Sequence, residues 1–461
     1  MVENTNFHRM LQYCNPKTRM ISRRTLGNDI HTLYQTLFQQ VLKRITRYCD
    51  DGGKLSITLD AWSSSTRIPF LGITGHYIEG PSWQYQSILL GFERLRGSHT
   101  AISLNRVLLS VLKRFHLVNH IRVITTDNAS TNTKMMRLLE TSLPEFDPKE
   151  HHIRCMAHII NLAVQELLSH LRISPQEGID QAIHTDISNP NSGSVQQIPK
   201  VFSQARSIIT KIRASNLLWE SFEAQSAVAK LPPLKLILDM PVRWNSTFDM
   251  LDRLIQLRPA VHAVCQLEDA LRPYQLSDTH WSLLERLKSI LGIFVKATEH
   301  LSGSSYPTLS VQLPYFVVLA NRLEHFIDEL RETEPDSDLL QALNQAWHKL
   351  NHYHIQTASL QAIATILDPR YKLQTFRNLA WTETWISEAH TSILETYNNQ
   401  YAPTLSDSDI PLSTIDSAND QEESDFLEAV FGSQQSTLSL NAPSELEIYL
   451  EEPVEGRKVC T

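Results

Sequence analysis

Leu55, Ile57 and Leu59 alternate with Ser56 and Thr58, the period-two pattern of a strand with one buried face. Gly52 and Gly53 punctuate its start and Ser63–Ser65 its finish, so the pattern predicts a strand over 54–64 with Asp60 at its far end. A second strand of the same kind, Ile121–Thr126, runs into Asp127 and Asn128. Between them, Phe70–Ile78 and Gln84–Phe92 read as strands joined by a short Gly80–Pro81 link, which predicts a hairpin. Apolar positions then change period. Ile102, Leu104, Val107, Leu108, Val111, Leu112 and Phe115 mark one helical face over 100–115, and Leu33, Leu37, Val41 and Ile45 another over about 29–48. The first three strands form an antiparallel meander, and the helix before Ile121–Thr126 is a crossover into the same sheet.

Further along, HHIRCMAHIINLAVQELL at 151–168 reads as a helix, 172–200 as a polar loop, 200–228 as one helix and Leu234–Leu238 as a short strand. From 255 to 400 the pattern is helical, with breaks near Pro273, 302–307, Pro335 and Pro369. Residues 401–440 contain no Lys or Arg and many Asp, Glu and Ser, the composition of a disordered acidic linker. A short helix is expected from Ser444 to Leu450. Three strands, a helix, a strand ending in Asp and then helices is a ribonuclease-H-like order: an α/β core with a mixed sheet, and a large all-α domain that interrupts it or is appended to it. The expected domains are a tail and basic helix at 1–50, the core at 51–250, the insertion at 251–400, the linker at 401–443 and a last segment at 444–461.

Composition narrows the function classes. The 461 residues carry 42 basic against 50 acidic side chains, a net charge of −8. That excludes a uniformly basic nucleic-acid coat but not a local patch. The most basic stretch is the N-terminal one, with Arg19, Arg23, Arg24, Lys43, Arg44 and Arg47; these form a solvated helix face or meet phosphates. Five scattered cysteines (14, 49, 155, 265 and 460) make no disulfide framework and suit a reducing compartment. The polar start lacks a leader-like apolar region, and no apolar run nears the ~20 residues of a membrane span.

Asp60 and Asp127 are the strongest pair for chemistry. Two strands from distant parts of the chain, each delivering one carboxylate, can hold a divalent metal; taken singly, an aspartate at a strand end is more often a turn former. Cys155-x-x-His158 has the spacing of half a zinc site, with His151 and His152 alongside. No Cys-x-x-Cys completes it, and His116/His120 and His348/His352 lie elsewhere. The bland alternative is a small buried cysteine on a packed helix; a third is His158 facing the aspartates. Trp244, next to Arg243, either stacks on an unpaired base or anchors packing.

ISRRTL, LDAWSS, TTDNASTN, RCMAHIINLAVQ, RWNSTFDML, ATILDPRYK and ELEIYLEEP occur in this order, and over about 20–453 the chain resembles the hAT-superfamily transposases. The resemblance implies a ribonuclease-H-like core split by a helical insertion. It also implies DNA cutting at transposon ends by an Asp-Asp-Glu triad on Mg²⁺ or Mn²⁺. Carried over, Asp60 and Asp127 match the first two carboxylates and the metal ligands. Cys155 and His158 match a Cys-x-x-His motif near the active site and DNA. Arg243 and Trp244 match an Arg-Trp motif that aids hairpin formation on flanking DNA. Two departures stand out: no Cys-x-x-Cys for a BED finger at the start, and no serine-rich word carrying the third glutamate. Glu445, Glu447, Glu451 and Glu452 lie too early in the pattern. The resemblance therefore implies a nuclear, DNA-associated, transposase-derived protein. It would be catalytically incomplete, with a homo-oligomer weakened by C-terminal truncation. Two other readings stay open: an active nuclease whose third carboxylate is Glu285 or Glu299, and a non-enzymatic interaction protein.

Overall fold

The computed structural model describes residues 2–80, 82–97, 100–173, 197–240, 244–354, 358–402 and 444–455. Contacts divide the chain into a sheet unit, up to Ile159 with Ser304–Tyr306, and a helical unit holding the rest. The expected polar loop and acidic linker lie outside the described residues over 174–196 and 403–443.

The sheet unit opens with α1 (Thr5–Cys14) and the 28-residue α2 (Arg23–Asp50), started by Ser22, whose side chain accepts from the Thr25 N–H. Then come β1 (Leu55–Ser63), β2 (Pro69–Glu79), β3 (Gln84–Arg94), α3 (Ala101–Arg114), β4 (Ile121–Thr126), α4 (Ser130–Leu139), a turn of helix α5 (Pro148–His151) and β5 (His152–Arg154); the chain then runs into α6 (Met156–His170), most of which belongs to the helical unit. The sheet order is β3-β2-β1-β4-β5. β1, β2 and β3 pair antiparallel, while β4 runs parallel to both β1 and β5. This is the mixed sheet of a ribonuclease-H-like fold.

Alternation decides which face is buried. Leu55, Ile57 and Leu59 of β1 and Leu71 and Ile73 of β2 point into one core with Leu104, Leu108, Val111 and Leu112 of α3 and Met135 and Met136 of α4. Each fully buried aliphatic of this kind contributes about 1.5–3 kcal/mol. The register of β2 on β3 shifts at Ile73/Thr74. Arg114 of α3 reaches this part of the edge strand, donating to the Leu90 carbonyl at 3.0 Å and to Glu93.

Three local expectations change. The start of 151–168 is not helical: His152–Arg154 pairs with β4 as a fifth strand, and the helix begins at Met156. The helix over 200–228 is two, α7 (Gln197–Ala214) and α8 (Asn216–Val228), divided at Ser215, which caps the second. Leu234–Leu238 joins no sheet. Two prolines precede it, and Arg253 donates to the Lys235 carbonyl at 2.9 Å in place of a ladder partner.

The helical unit continues with α9 (Trp244–Gln256), α10 (Arg258–Leu267), α11 (Asp278–Leu301), α12 (Leu309–Thr333), α13 (Asp338–His354), α14 (Ala358–Leu367), α15 (Lys372–Asn378), α16 (Glu383–Gln400) and α17 (Glu445–Glu451). α17 is opened by a Ser444/Glu447 capping box and buries Leu446 among α12, α14, α15 and α16. The LDPRYK word explains the docking. Lys372 donates to the Tyr449 carbonyl at 2.6 Å and the Glu452 carbonyl at 2.9 Å, capping the C-terminus of α17 with a cation. Tyr449 returns a bond to the Ile366 carbonyl. Two words that are 77 residues apart are thus one packing unit.

Candidate active site

Asp60 and Asp127 come from adjacent parallel strands. The last pair between β1 and β4 is Thr58 with Thr125, and each aspartate lies two residues further on. They therefore stand at neighbouring tips of one sheet, on the side where ribonuclease-H-like strands present their carboxyl ends. β1 itself does not stop at Asp60. It pairs with β2 as far as Ser63 and Pro69, so Asp60 is exposed on a strand that has outrun only its β4 neighbour.

Asp60 shares its strand face with Trp62, two residues on. Trp62 lies over β2, with ring centroids 6.1 Å from Phe70 and 5.5 Å from Phe92. Gly72, opposite Asp60, makes room for it: a Cβ there would stand 3.1 Å from the indole.

Asp127 is held more firmly. Its Oδ1 accepts from the Ala129 N–H at 2.9 Å and from Asn132 Nδ2 at 2.7 Å, an Asx turn at the entrance to α4. The N-cap position of α4 is Ala129, which has no side-chain cap of its own. Beneath the tip, buried Thr126 donates to the Asp127 carbonyl at 2.9 Å. Its oxygen is 2.9 Å from His152 Nε2. With the threonine proton committed, His152 must donate, which fixes the imidazole as the Nε2–H tautomer. Burial, with Arg154 nearby, lowers the His152 pKa to about 4.

Cys155 continues this layer. Its N–H donates to the Thr126 carbonyl at 2.8 Å. Its sulfur faces the backbone N–H groups of Ala157 and His158 in the first turn of α6. The thiol pKa is raised, first by burial, and further by the charges of Asp60 and Asp127. The raised pKa describes a protonated thiol in reach of both carboxylates' fields. Among the described residues, no three His, Cys, Asp or Glu side chains are grouped to hold a metal. Carboxylates at neighbouring strand tips are the donor type that a hard cation such as Mg²⁺ takes beside water.

The sequence pattern marks Asn128 only as the residue after Asp127 and does not reveal the Thr126–His152 link. Asn128 Oδ1 receives Arg154 at 3.4 Å while its Nδ2 is buried without a partner among the described residues. The density of Thr and Asn in TTDNASTN was the available signal. Arg243 lies outside the described residues. Trp244 begins α9 and is 7% exposed, edge-on to Phe294 at 6.4 Å, a packing position. Glu285 is paired with Arg258 at 3.2 Å inside the helical unit.

Comparison with known proteins settles the ancestry. Residues 58–152 match the ZBED1 RNase-like domain and residues 153–290 the ZBED1 RNase-like helical domain. The chain is 24% identical over 383 residues to the Zea mays protein named as an AC transposase, covering 81% of this chain and 43% of that one. The chain belongs to the hAT transposase-derived proteins. It is also 31% identical over 404 residues to the Talaromyces stipitatus protein named transcriptional regulator tpeD, covering 85% of this chain and 44% of the relative. Human zinc finger BED domain-containing protein 4 matches at 22% over 389 residues, covering 81% of this chain and 29% of that protein. The chain spans less than half the length of these relatives. No described helix is long and apolar enough to cross a membrane.

Proposed function

We propose that this hAT protein is a nuclear, DNA-associated derivative of a transposase. Its two strand-tip aspartates bind one divalent ion and a DNA phosphate without cutting the strand. The observation that carries this reading is the matched placement of Asp60 and Asp127, two residues past Thr58 and Thr125 on adjacent parallel strands. Asp60 is exposed and Asp127 is pre-oriented through Oδ1. A Mg²⁺ or Mn²⁺ held there would polarise a phosphate oxygen. Two-metal hydrolysis needs further carboxylate ligands, and the described residues bring no third metal-binding side chain to the pair. The rest is done by the chain: the Asx turn fixes Asp127, His152 and Thr126 hold the turn, and the neutral Cys155 thiol adds no charge beside the carboxylates.

The name of the 31%-identical relative, transcriptional regulator tpeD, favours a non-enzymatic role on DNA over strand transfer. The test is Mn²⁺ titration followed by electron paramagnetic resonance, beside a plasmid-nicking assay. Expected are weak Mn²⁺ binding, its loss in Asp60→Asn/Asp127→Asn, and no nicking. Nicking that vanishes in Asp60→Ala overturns the inactive reading. Mn²⁺ binding unchanged in the double variant overturns the metal site.

A further inference from the structure

The two faces of β1–β3 are finished differently. Leu55, Ile57, Leu59, Leu71 and Ile73 point into the core. Alternation puts Trp62, Phe70 and Phe92 on the opposite face, with Trp62 paired to Phe70 and Phe92 to Gly72. Ring centroids are 4.9 Å apart for Phe70 and Phe92, 5.5 Å for Trp62 and Phe92 and 6.1 Å for Trp62 and Phe70. The register shift that skips Leu90 keeps Leu89, the partner of Thr74, on this face too. Trp62, Leu89 and Phe92 are 41%, 61% and 56% exposed. Single exposed apolar side chains are ordinary; three rings in mutual contact beside an exposed leucine make a patch. The rings also brace one another, so little side-chain freedom is left to lose on binding.

The rim of the patch is cationic. Arg94 is the partner of Phe70 across β2 and β3, Arg96 follows two residues on, and Arg67 stands in the turn between β1 and β2. All three are exposed, and none forms an ion pair within 4 Å among the described residues. Of the nearby acids, Glu93 is taken by Arg114. Asp60, on the face of Trp62, is the other, so three cations stand against one carboxylate. A ligand that complements this face is apolar in the middle and acidic toward the end where β1 turns into β2.

Size and ring geometry narrow the ligand. The exposed parts of these side chains amount to roughly 300–400 Å² of apolar surface. A folded partner, or a second copy, buries about 800 Å² on each side of a standard interface, so the patch suits a short linear segment. Single-stranded nucleic acid is the rival, being anionic as well. Bases need open ring faces, and here the rings pack on one another at 27–56°. The exposed Leu89 offers no stack, and Asp60 repels a phosphate chain that no metal ion bridges.

We propose that the outer face of β1–β3 docks a short acidic peptide segment of a partner protein. The segment's apolar side chains cover Trp62, Leu89 and Phe92, and its carboxylates meet Arg67, Arg94 and Arg96. The surface needs neither a metal ion nor DNA, so it stands apart from the reading above. The full chain is titrated by fluorescence anisotropy, in EDTA and over a series of salt concentrations, with the labelled peptide EEDFLELFEE. The parent chain should bind it and not its lysine counterpart KKKFLKLFKK, a comparison that no variant's folding can affect. Leu89→Thr/Phe92→Thr, at exposed strand positions that suit threonine, should weaken binding at least about tenfold and leave its salt dependence unchanged. Arg67→Gln/Arg94→Gln/Arg96→Gln should weaken it about tenfold at low salt and flatten the salt dependence. Equal binding of the two peptides overturns the proposal, as does acidic-peptide binding that neither variant changes. An oligothymidylate that binds the parent and not Leu89→Thr/Phe92→Thr would make the face a nucleic-acid platform. Self-association in sedimentation that the same variant abolishes would make it a contact between copies. Either result overturns the proposal too.

Discussion

In the helical unit, Asp239 has 2% of its side chain exposed and meets Arg206 at 3.0 Å and 2.5 Å, with Thr247 adding a bond at 3.2 Å. In the sheet unit, Asp60 is exposed at a strand tip with no cation within 4 Å among the described residues. The same amino acid serves opposite ends. Asp239 is desolvated and must be matched, so it locks the approach to α9 onto α7. Asp60 keeps its hydration and contributes little to folding, so it remains available to a ligand. The sheet unit buries polar groups too, but neutral ones: Thr126, bonded to the half-buried, uncharged His152. The helical unit buries charges, Asp239 and Lys372, each with partners. Charge that is buried and paired marks scaffold; charge left solvated at the end of a rigid sheet marks a site.

The largest effect that can break this contrast is at Arg206. Arg206→Met leaves Asp239 buried without its cation and frees the Ile173 carbonyl, which accepts from Arg206 at 2.7 Å. Removing one partner of a buried pair costs about 3–5 kcal/mol, read as a lowered urea midpoint with an unchanged slope. A loss under about 1 kcal/mol would mean that Asp239 is hydrated, and the two aspartates would no longer differ in kind.

Acid should act first on the sheet unit, through His152. In the folded chain this imidazole stays neutral until pH falls to about 4; unfolded, it takes up a proton near 6.5. Between those values the unfolded state binds more protons, so stability falls as pH drops from 6.5 to 4 and levels off below. The loss is at most about 3 kcal/mol. Urea unfolding across this range should show the slope, and His152→Gln, which keeps a donor toward Thr126, should flatten it. A profile identical in the variant would remove His152 from the support of the Asp127 turn.

Much of this was legible in the sequence, for reasons that can be located. β1 to β4 announced themselves because one face is buried and the other is not, which forces alternation. Asp60 and Asp127 stood out because each follows such a run. β5 was missed because three residues, His152–Arg154, cannot display a period; only the parallel partner Ile124–Thr126 makes them a strand. Leu234–Leu238 failed in the opposite way, having the apolar density of a strand and no neighbour to pair with. The Thr126–His152 bond was invisible for the same reason as β5, since it crosses that unseen pairing. Trp244 could be read as platform or anchor, and its 7% exposure against Phe294 answers only for the helical unit.

The smallest effect is the sharpest test of the contrast. Asp60→Asn exchanges one exposed polar group for another of the same shape, so its stability should stay within about 0.5 kcal/mol of the parent. Asp127→Asn should be almost as quiet, because an asparagine Oδ1 can still accept from the Ala129 N–H and hold the Asx turn. Asp127→Ala removes that acceptor and should cost about 1 kcal/mol, the ordinary worth of a capping side chain. The order Asp60→Asn, Asp127→Asn, then Asp127→Ala follows from hydrogen bonds alone and can be read in one denaturation series. A loss of 2 kcal/mol or more in Asp60→Asn would place Asp60 among the structural carboxylates with Asp239. The strand-tip pair would then be scaffold, and the case for a metal there would have to start again from Asp127 alone.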